Sequence, residues 1–203
     1  MRLIEYGERE TAYLAKRDRR LGAFIESTGF IERELRENLF EALVTSIANQ
    51  QISNAAALTV MGRFHKKIPI MTPEIIDAAS VEEIQSIGIS MRKASYIKGL
   101  GDAAVRGGLN IEGLRSMSDG DVAEALLPIK GIGIWTVEMF LIFSLGRPDV
   151  VSFGDFAIRK GMMNLYGQKS LSRVAFDRHR KRYAPYGTVA SLYLWEAAVT
   201  EFK

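Results

Sequence analysis

Apolar residues recur at spacings of three and four along almost the whole chain, the signature of helices that each bury one face. Leu39, Phe40, Leu43, Val44, Ile47 and Ala48 form one stripe, and Ala57, Val60, Met61 and Phe64 form the next after a break near Gln51-Ile52-Ser53. Thr72-Pro73 and Ser80 mark further starts, because a hydroxyl caps the first amides and a proline suits the first helical position. Ala94, Ile97, Leu100, Ala104 and Val105 supply another core face, which Gly99 and Gly101 weaken. Ser118 with Asp121 makes a capping-box-like start to a short helix bearing Val122, Ala125 and Leu126, and Pro128 closes it. Trp135, Val137, Met139, Phe140, Ile142 and Phe143 begin a strongly apolar helix, and Val189, Leu192, Tyr193 and Ala197 give the last stripe. Residues 1–34 read as charged helix, and no strand is needed. The pattern predicts an all-α protein.

Composition sets bounds on that picture. The chain has 203 residues, of which 47% are apolar, enough for one compact helical unit with two lobes. The expected lobes are 35–125 and 1–34 plus 126–203, with no linker, repeat or low-complexity tract between them. A net charge of +3 and a pI near 9.1 are only mildly basic, so attraction to an acidic polymer has to be local. Arg92-Lys93, Arg159-Lys160 and Arg178-His179-Arg180-Lys181-Arg182 are the local concentrations, each readable as a solvated helix face or as a contact. The absence of cysteine excludes disulfides, zinc-thiolate sites and iron-sulfur clusters. Met1-Arg2-Leu3-Ile4-Glu5-Tyr6 is too charged for a signal peptide, and no stretch approaches a membrane span. The expected location is intracellular and cytoplasmic.

The chemistry concentrates in two segments. Lys130-Gly131-Ile132-Gly133-Ile134-Trp135-Thr136 joins two predicted helices through a pair of glycines that let the backbone turn sharply and approach another chain. The amides and positive dipole end of the second helix make an anion site suited to a phosphate; the same turn also serves as an ordinary packing corner. A dinucleotide fingerprint fits poorly, since a strand should precede its glycines, whereas Ala123 to Leu127 reads as helix. Asp155, in Ser152-Phe153-Gly154-Asp155-Phe156, stands twenty positions after Trp135 at a helix start, where it is either a plain N-cap or a working acid. Asp149, in Arg147-Pro148-Asp149, is the competing carboxylate and reads as a turn residue. Glu138 lies one turn from Trp135, on the polar side of its helix.

These segments, with two others, resemble the helix-hairpin-helix DNA glycosylase superfamily, in its alkylated-base branch of the 3-methyladenine DNA glycosylase II type. Ile47-Ala48-Asn49-Gln50-Gln51-Ile52-Ser53 resembles the family segment that fills the gap left by a flipped base. Ile84-Gln85-Ser86-Ile87-Gly88-Ile89-Ser90-Met91-Arg92-Lys93-Ala94-Ser95-Tyr96-Ile97 resembles its glycine loop and following helix beside the minor groove. The hairpin with Asp155 is the third match, and Tyr183-Ala184-Pro185-Tyr186 running to Tyr193-Leu194-Trp195 is the fourth. The order of the four is more specific than any one. An extra N-terminal β-domain found in larger relatives is not matched, because residues 1–34 are too few.

The resemblance implies a two-lobed fold with a cleft between the lobes and a hydrolytic, base-only reaction on alkylated purines in duplex DNA. It makes Asp155 the catalytic carboxylate; a cationic alkylated base attracts aromatic faces, for which Trp135, Trp195, Phe153 and Tyr186 are the candidate base pocket, and the resemblance favours Trp135 and Trp195 among them. It makes Lys130, Gly131, Ile132, Gly133 and Thr136 the DNA-binding hairpin, and Gln51 the wedge, opposed by Ile89 or Ser90. Gln51 departs from the leucine that some relatives use as wedge; Gln50 and Gln51 also read as polar helix-end residues. Relatives that cut the backbone carry a lysine where this chain has Trp135, and an indole cannot form their Schiff base. The adenine-mispair branch usually brings a four-cysteine cluster, absent here. The expected protein is a monomer with no required cofactor, although the family implies a monovalent cation on the hairpin carbonyls. The alternatives are a noncatalytic DNA-binding or lesion-sensing module, and a structural helical protein whose glycine turn packs internally.

Overall fold

A computed structural model describes residues 2–200 and is helical nearly throughout. Among the described residues the extended pairing amounts to an isolated antiparallel bridge between Leu3 and Glu34. The chain divides into two compact units, one holding residues up to Leu35 and from Leu141 onward, the other Arg36–Phe140. No helix among the described residues is long and apolar enough to cross a membrane.

The Arg36–Phe140 unit contains α3 (Leu39–Ala48), α4 (Asn54–Lys67), α5 (Pro73–Ala78), α6 (Val81–Gln85), α7 (Met91–Val105), a 3-10 turn (Glu112–Arg115), α8 (Asp119–Leu126) and the start of α9 (Ile134–Phe143). Its starts follow the capping chemistry read from the sequence. Thr72 accepts from Ile75 N with Pro73 in the first turn, and Ser80 with Glu83 and Ser118 with Asp121 each close a reciprocal capping box. The predicted stripe of α3 is buried from Leu39 to Ala48, and α7 packs on α3, α5 and α6.

The other unit contains α1 (Glu8–Arg17), α2 (Arg19–Thr28), α10 (Phe156–Tyr166), α11 (Arg173–Tyr183) and α12 (Gly187–Val199). The charged N-terminal segment is two helices where the pattern suggested one. Asp18 breaks it: its extended backbone (φ −146°) stops α1, and its side chain accepts from the amides of Arg20 and Leu21 to start α2. Polarity periodicity does not register such a break, because Asp18 is polar like its neighbours yet buried. Its Oδ2 accepts from Tyr166 Oη at 2.7 Å and lies 3.0 Å from Arg182 Nη1. Tyr166 shares a second 2.7 Å hydrogen bond with Tyr183, and the His179 ring stacks on it at 3.9 Å. The network joins the α1–α2 junction to α10 and α11. Burial, then Tyr183 and Asp18, push the Tyr166 hydroxyl well above the ordinary phenol range. Burial, with the Arg182 cation beside it, holds His179 below the ordinary imidazole value.

α12 is buried on every side from Gly187 to Leu194, and α10 is its principal neighbour. The two approach at backbone distance: a Cβ at Gly161 would stand 1.9 Å from the Leu194 carbonyl oxygen. Only glycine satisfies that contact without moving a helix. Gly161→Ala should therefore cost about 3 kcal/mol of stability through overpacking, measured as a lower urea midpoint.

His179 supplies a pH test with a definite sign. Its folded pKa is depressed, so the unfolded chain binds the proton first, and stability is full above the ordinary value of 6.5 and falls as pH drops below it. The thermal midpoint should decline below about pH 6.5, and His179→Phe should decline less over the same interval. An equal decline in both would assign the acid sensitivity elsewhere.

Candidate functional site

Asp155 sits where α10 begins, and its own chemistry starts that helix. Its Oδ1 accepts from Ile158 N at 2.9 Å, and its amide donates to Ser152 Oγ at 3.2 Å. Asp155 is therefore an N-cap, and it makes contacts beyond that helix. It is 8% exposed, and the Trp195 indole N–H, from α12, donates to the same Oδ1 at 3.3 Å. A carboxylate is favoured at the positive end of a helix, and two converging donors restrict its orientation.

Three of the four aromatic residues expected to line the base pocket, Trp195, Phe153 and Tyr186, have different surroundings. Trp195 is half-buried and stacks on Phe143 with centroids 5.3 Å apart, so its ring already has a partner while its N–H holds Asp155. Phe153 packs edge-on against Phe176 at 5.0 Å, and the Arg159 and Arg173 guanidiniums lie over its ring at 5.3 and 4.9 Å. Tyr186 meets Tyr13 edge-on at 5.1 Å. Of the three, Trp195 alone is placed against Asp155 by a hydrogen bond among these contacts. Asp149, the competing acid, accepts from Gly187 N at 3.0 Å and lies 4.0 Å from Arg180 Nη2, which gives it the turn-holding role expected.

In the Arg36–Phe140 unit the hairpin forms between α8 and α9 as the glycines predict. Ile129 N donates to Leu126 O and Ile132 N to Ile129 O, both at 3.0 Å, and Gly133 O receives Val137 N at 3.1 Å to start α9. Gly131 is left-handed (φ +91°), and a Cβ there would stand 2.5 Å from the Tyr96 ring. Lys130, Gly133 and Ile134 are exposed at the turn, whereas Ile132 and Thr136 are buried supports. Trp135 is 42% exposed, unusual for the largest apolar side chain.

The predicted wedge segment is attached to this hairpin. Gln50 Nε2 donates to Gly131 O at 2.7 Å. Lys93 Nζ, from α7, donates to Ala48 O at 2.9 Å and to Gln50 O at 2.5 Å, closing the end of α3. Burial, then the Arg92 cation, draws the Lys93 ammonium below its ordinary value. Directly after these anchors Gln51 is exposed, with the one positive φ outside glycine among the described residues (56°). Ser90 caps α7 by accepting from Lys93 N at 3.3 Å, and Ile89 is 6% exposed, packed inward in place of presenting its side chain at the surface.

Lys93 and Tyr96 are the residues the sequence reading passed over as participants. A signal existed for Lys93: it shares the helical face of Ile97, Leu100 and Ala104, so it was a charge on a core stripe instead of half of a surface pair. A cation on the hairpin would need its carbonyls, and those of Ile129, Gly131 and Gly133 each accept a hydrogen bond. Among the described residues no His, Asp and Glu cluster could hold a metal ion.

Comparison with known proteins identifies the family. The family model described as HhH-GPD superfamily base excision DNA repair protein matches residues 44–185, a range that includes Gln51, the glycine hairpin and Asp155. The DNA-3-methyladenine glycosylase 1 of Schizosaccharomyces pombe is 35% identical over 165 residues, covering 78% of this chain and 72% of that protein. The crystal structure of a DNA-3-methyladenine glycosidase from Bacillus halodurans superposes with a TM-score of 0.88 at 38% identity, covering 98% of this chain and 94% of the other. A Schizosaccharomyces pombe 3-methyladenine DNA glycosylase in complex with abasic DNA gives 0.81 at 31% identity, covering 93% and 95%.

The hairpin's geometry yields a sharp expectation for Gly131→Ala. Its left-handed backbone disfavours any side chain, and the new methyl would collide with Tyr96. The variant should lose about 2 kcal/mol of stability and bind duplex DNA more weakly, read by denaturation and by fluorescence anisotropy.

Proposed function

The chain belongs to the HhH-GPD superfamily of base excision DNA repair proteins, and we propose that it is a monofunctional glycosylase hydrolysing the N-glycosidic bond of alkylated purines, such as 3-methyladenine, in duplex DNA. The observation that carries this reading is Asp155, a buried carboxylate at a helix N-terminus, oriented by an amide and an indole N–H. Glycosidic cleavage passes through an oxocarbenium-like transition state. A fixed negative charge near the anomeric carbon stabilises the developing positive charge, and the same carboxylate orients or deprotonates the attacking water.

Alkylation at a ring nitrogen makes the purine cationic, so it departs without a protonated acid and one carboxylate suffices. A cationic base also favours an electron-rich aromatic face, and the exposed Trp135 ring supplies one. Trp135 stands where backbone-cutting relatives have their amine; Lys130, five residues earlier and exposed, is assigned to DNA phosphate. The hairpin gives a sequence-independent grip, with Gln51 the wedge that enters the stack when the base leaves. We place the protein on intracellular duplex DNA as a monomer.

Incubation with methylated duplex should release free alkylated purine and leave an intact abasic strand, with borohydride trapping no covalent adduct. Asp155→Asn keeps the shape and a hydrogen-bond acceptor but loses the charge, so single-turnover excision should fall roughly 10²-fold or more while lesion DNA still binds. Near-full activity in that variant would reduce Asp155 to a cap. Salt-sensitive binding without any base release by the parent protein would select the noncatalytic module, and a lysine-dependent adduct would select the backbone-cutting chemistry.

A further inference from the structure

We propose that Lys93 is a positioning residue that holds the Gln51 turn in its DNA-distorting conformation, and that it does so without contacting DNA. The inference rests on the reading of Gln51 as the wedge. Its ground is a set of bonds within one unit: the Lys93 ammonium donates to the carbonyls of both Ala48 and Gln50, the last turn of α3 and the residue before the wedge. The neighbouring Gln50 side chain reaches Gly131 of the hairpin, and Tyr96, three residues along α7 from Lys93, packs where a Cβ of Gly131 would be. One helix therefore braces the wedge turn and the hairpin together.

The conformation being held is one that the local sequence does not favour. Gln51 adopts the left-handed region, which costs a residue with a Cβ stability unless its surroundings over-determine it. The carbonyls at a helix end have no intrahelical donors; a cation that takes the last one of α3 together with the Gln50 carbonyl beyond it fixes where the next residue must go. Charge-assisted bonds are the stronger kind, and the half-buried position of Lys93 limits competition from water. A neutral side chain in its place would leave Gln51 free to relax, so the wedge would no longer be preformed when the base leaves the stack.

This differs from the ordinary role of a lysine on a DNA-binding protein, and the two roles have opposite signatures. A lysine that neutralises a phosphate contributes about one to the slope of log affinity against log salt, and its loss weakens every duplex alike. A lysine that only shapes the wedge leaves the slope and the affinity for undamaged duplex as they were. It acts on the extra affinity for DNA whose base is already out of the stack.

The experiment measures affinities of the full chain for a duplex with a tetrahydrofuran abasic analogue and for the same undamaged duplex, across a salt series. Lys93→Met keeps most of the side-chain volume and removes the donor. The abasic-to-undamaged ratio should fall about tenfold, the magnitude of a lost bond to a charged group, with the salt slope of undamaged binding unchanged. Gln50→Leu, which releases the turn from Gly131, should reduce the ratio in the same direction, and Lys93→Arg should restore much of it by reaching the same carbonyls. Should Lys93→Met not fold, Lys93→Gln takes its place with the same expected loss. An unchanged ratio, or a slope reduced by about one, overturns the proposal. Gln51→Ala is the control: if it lowers the ratio while Lys93→Met does not, this inference fails and the wedge stands. If Gln51→Ala leaves the ratio unchanged, the wedge reading itself fails.

Discussion

The contact between Gly161 and the backbone of Leu194 is the constraint on which the placement of Asp155 and Trp195 depends. α10 carries Asp155 at its N-terminus and α12 carries Trp195 one residue after Leu194, so the depth at which the two helices interlock determines whether the indole N–H reaches the carboxylate. A methyl group at residue 161 would have to displace a main-chain carbonyl, and main chain moves only with its helix. The 3.3 Å bond between Trp195 and Asp155 is therefore a consequence of core packing as much as of local side-chain chemistry. This also explains why Trp195, expected from the sequence as a wall for the base, is found stacked on Phe143 with its polar edge turned to the acid. A buried indole N–H needs an acceptor, and a buried carboxylate needs donors; the two satisfy each other.

The Arg36–Phe140 unit is organised by backbone conformations that side chains ordinarily avoid. Gly131 escapes the penalty by having no Cβ, and the space saved is occupied by Tyr96. Gln51 cannot escape it, and the residues just before it are fixed twice, by Lys93 on the Ala48 and Gln50 carbonyls and by the Gln50 side chain on the hairpin. Strain maintained in this way lies on the exposed turn that the sequence resemblance connects with the flipped base, and not in the well-capped helices around it.

How much of this was legible in the chain depends on which physics wrote it. Helix starts were readable because capping is local: Thr72, Ser80, Ser118 and Asp155 each satisfy amides within three residues. The face of α3 was readable because burial repeats with the helical period, whereas α12, buried on every side from Gly187 to Leu194, shows only part of its burial in the predicted stripe. Asp18 was missed because its importance comes from Tyr166 and Arg182, far away in sequence. Ile89 was expected beside the minor groove on segment likeness alone, and the structure packs its side chain inward. Lys93 was classed with Arg92 as a basic pair, although its helical phase with Ile97 and Leu100 already set it on the core side. Phe153 and Tyr186 were candidates for the pocket from aromatic character, a property that does not fix direction; their rings meet Phe176 and Tyr13 edge-on.

The division of labour between the units follows from the substrate proposed. A cationic leaving group needs no acid, so the chemical step asks for one well-placed negative charge, which a helix N-cap with an indole donor provides economically. Extracting a base from duplex DNA costs a few kcal/mol before any bond breaks, and a rigid protein can meet that cost only with parts already in position. The braced turn at Gln51 and the glycine hairpin are such parts: their hydrogen bonds are made within the free protein, so little ordering is left for the moment of binding. On this reading, selection for damaged bases begins with the mechanical step, since a weakly stacked lesion lowers its cost, while the single carboxylate acts on whatever sugar is presented. Specificity would then respond to changes in the Gln51 support at least as strongly as to changes around Asp155.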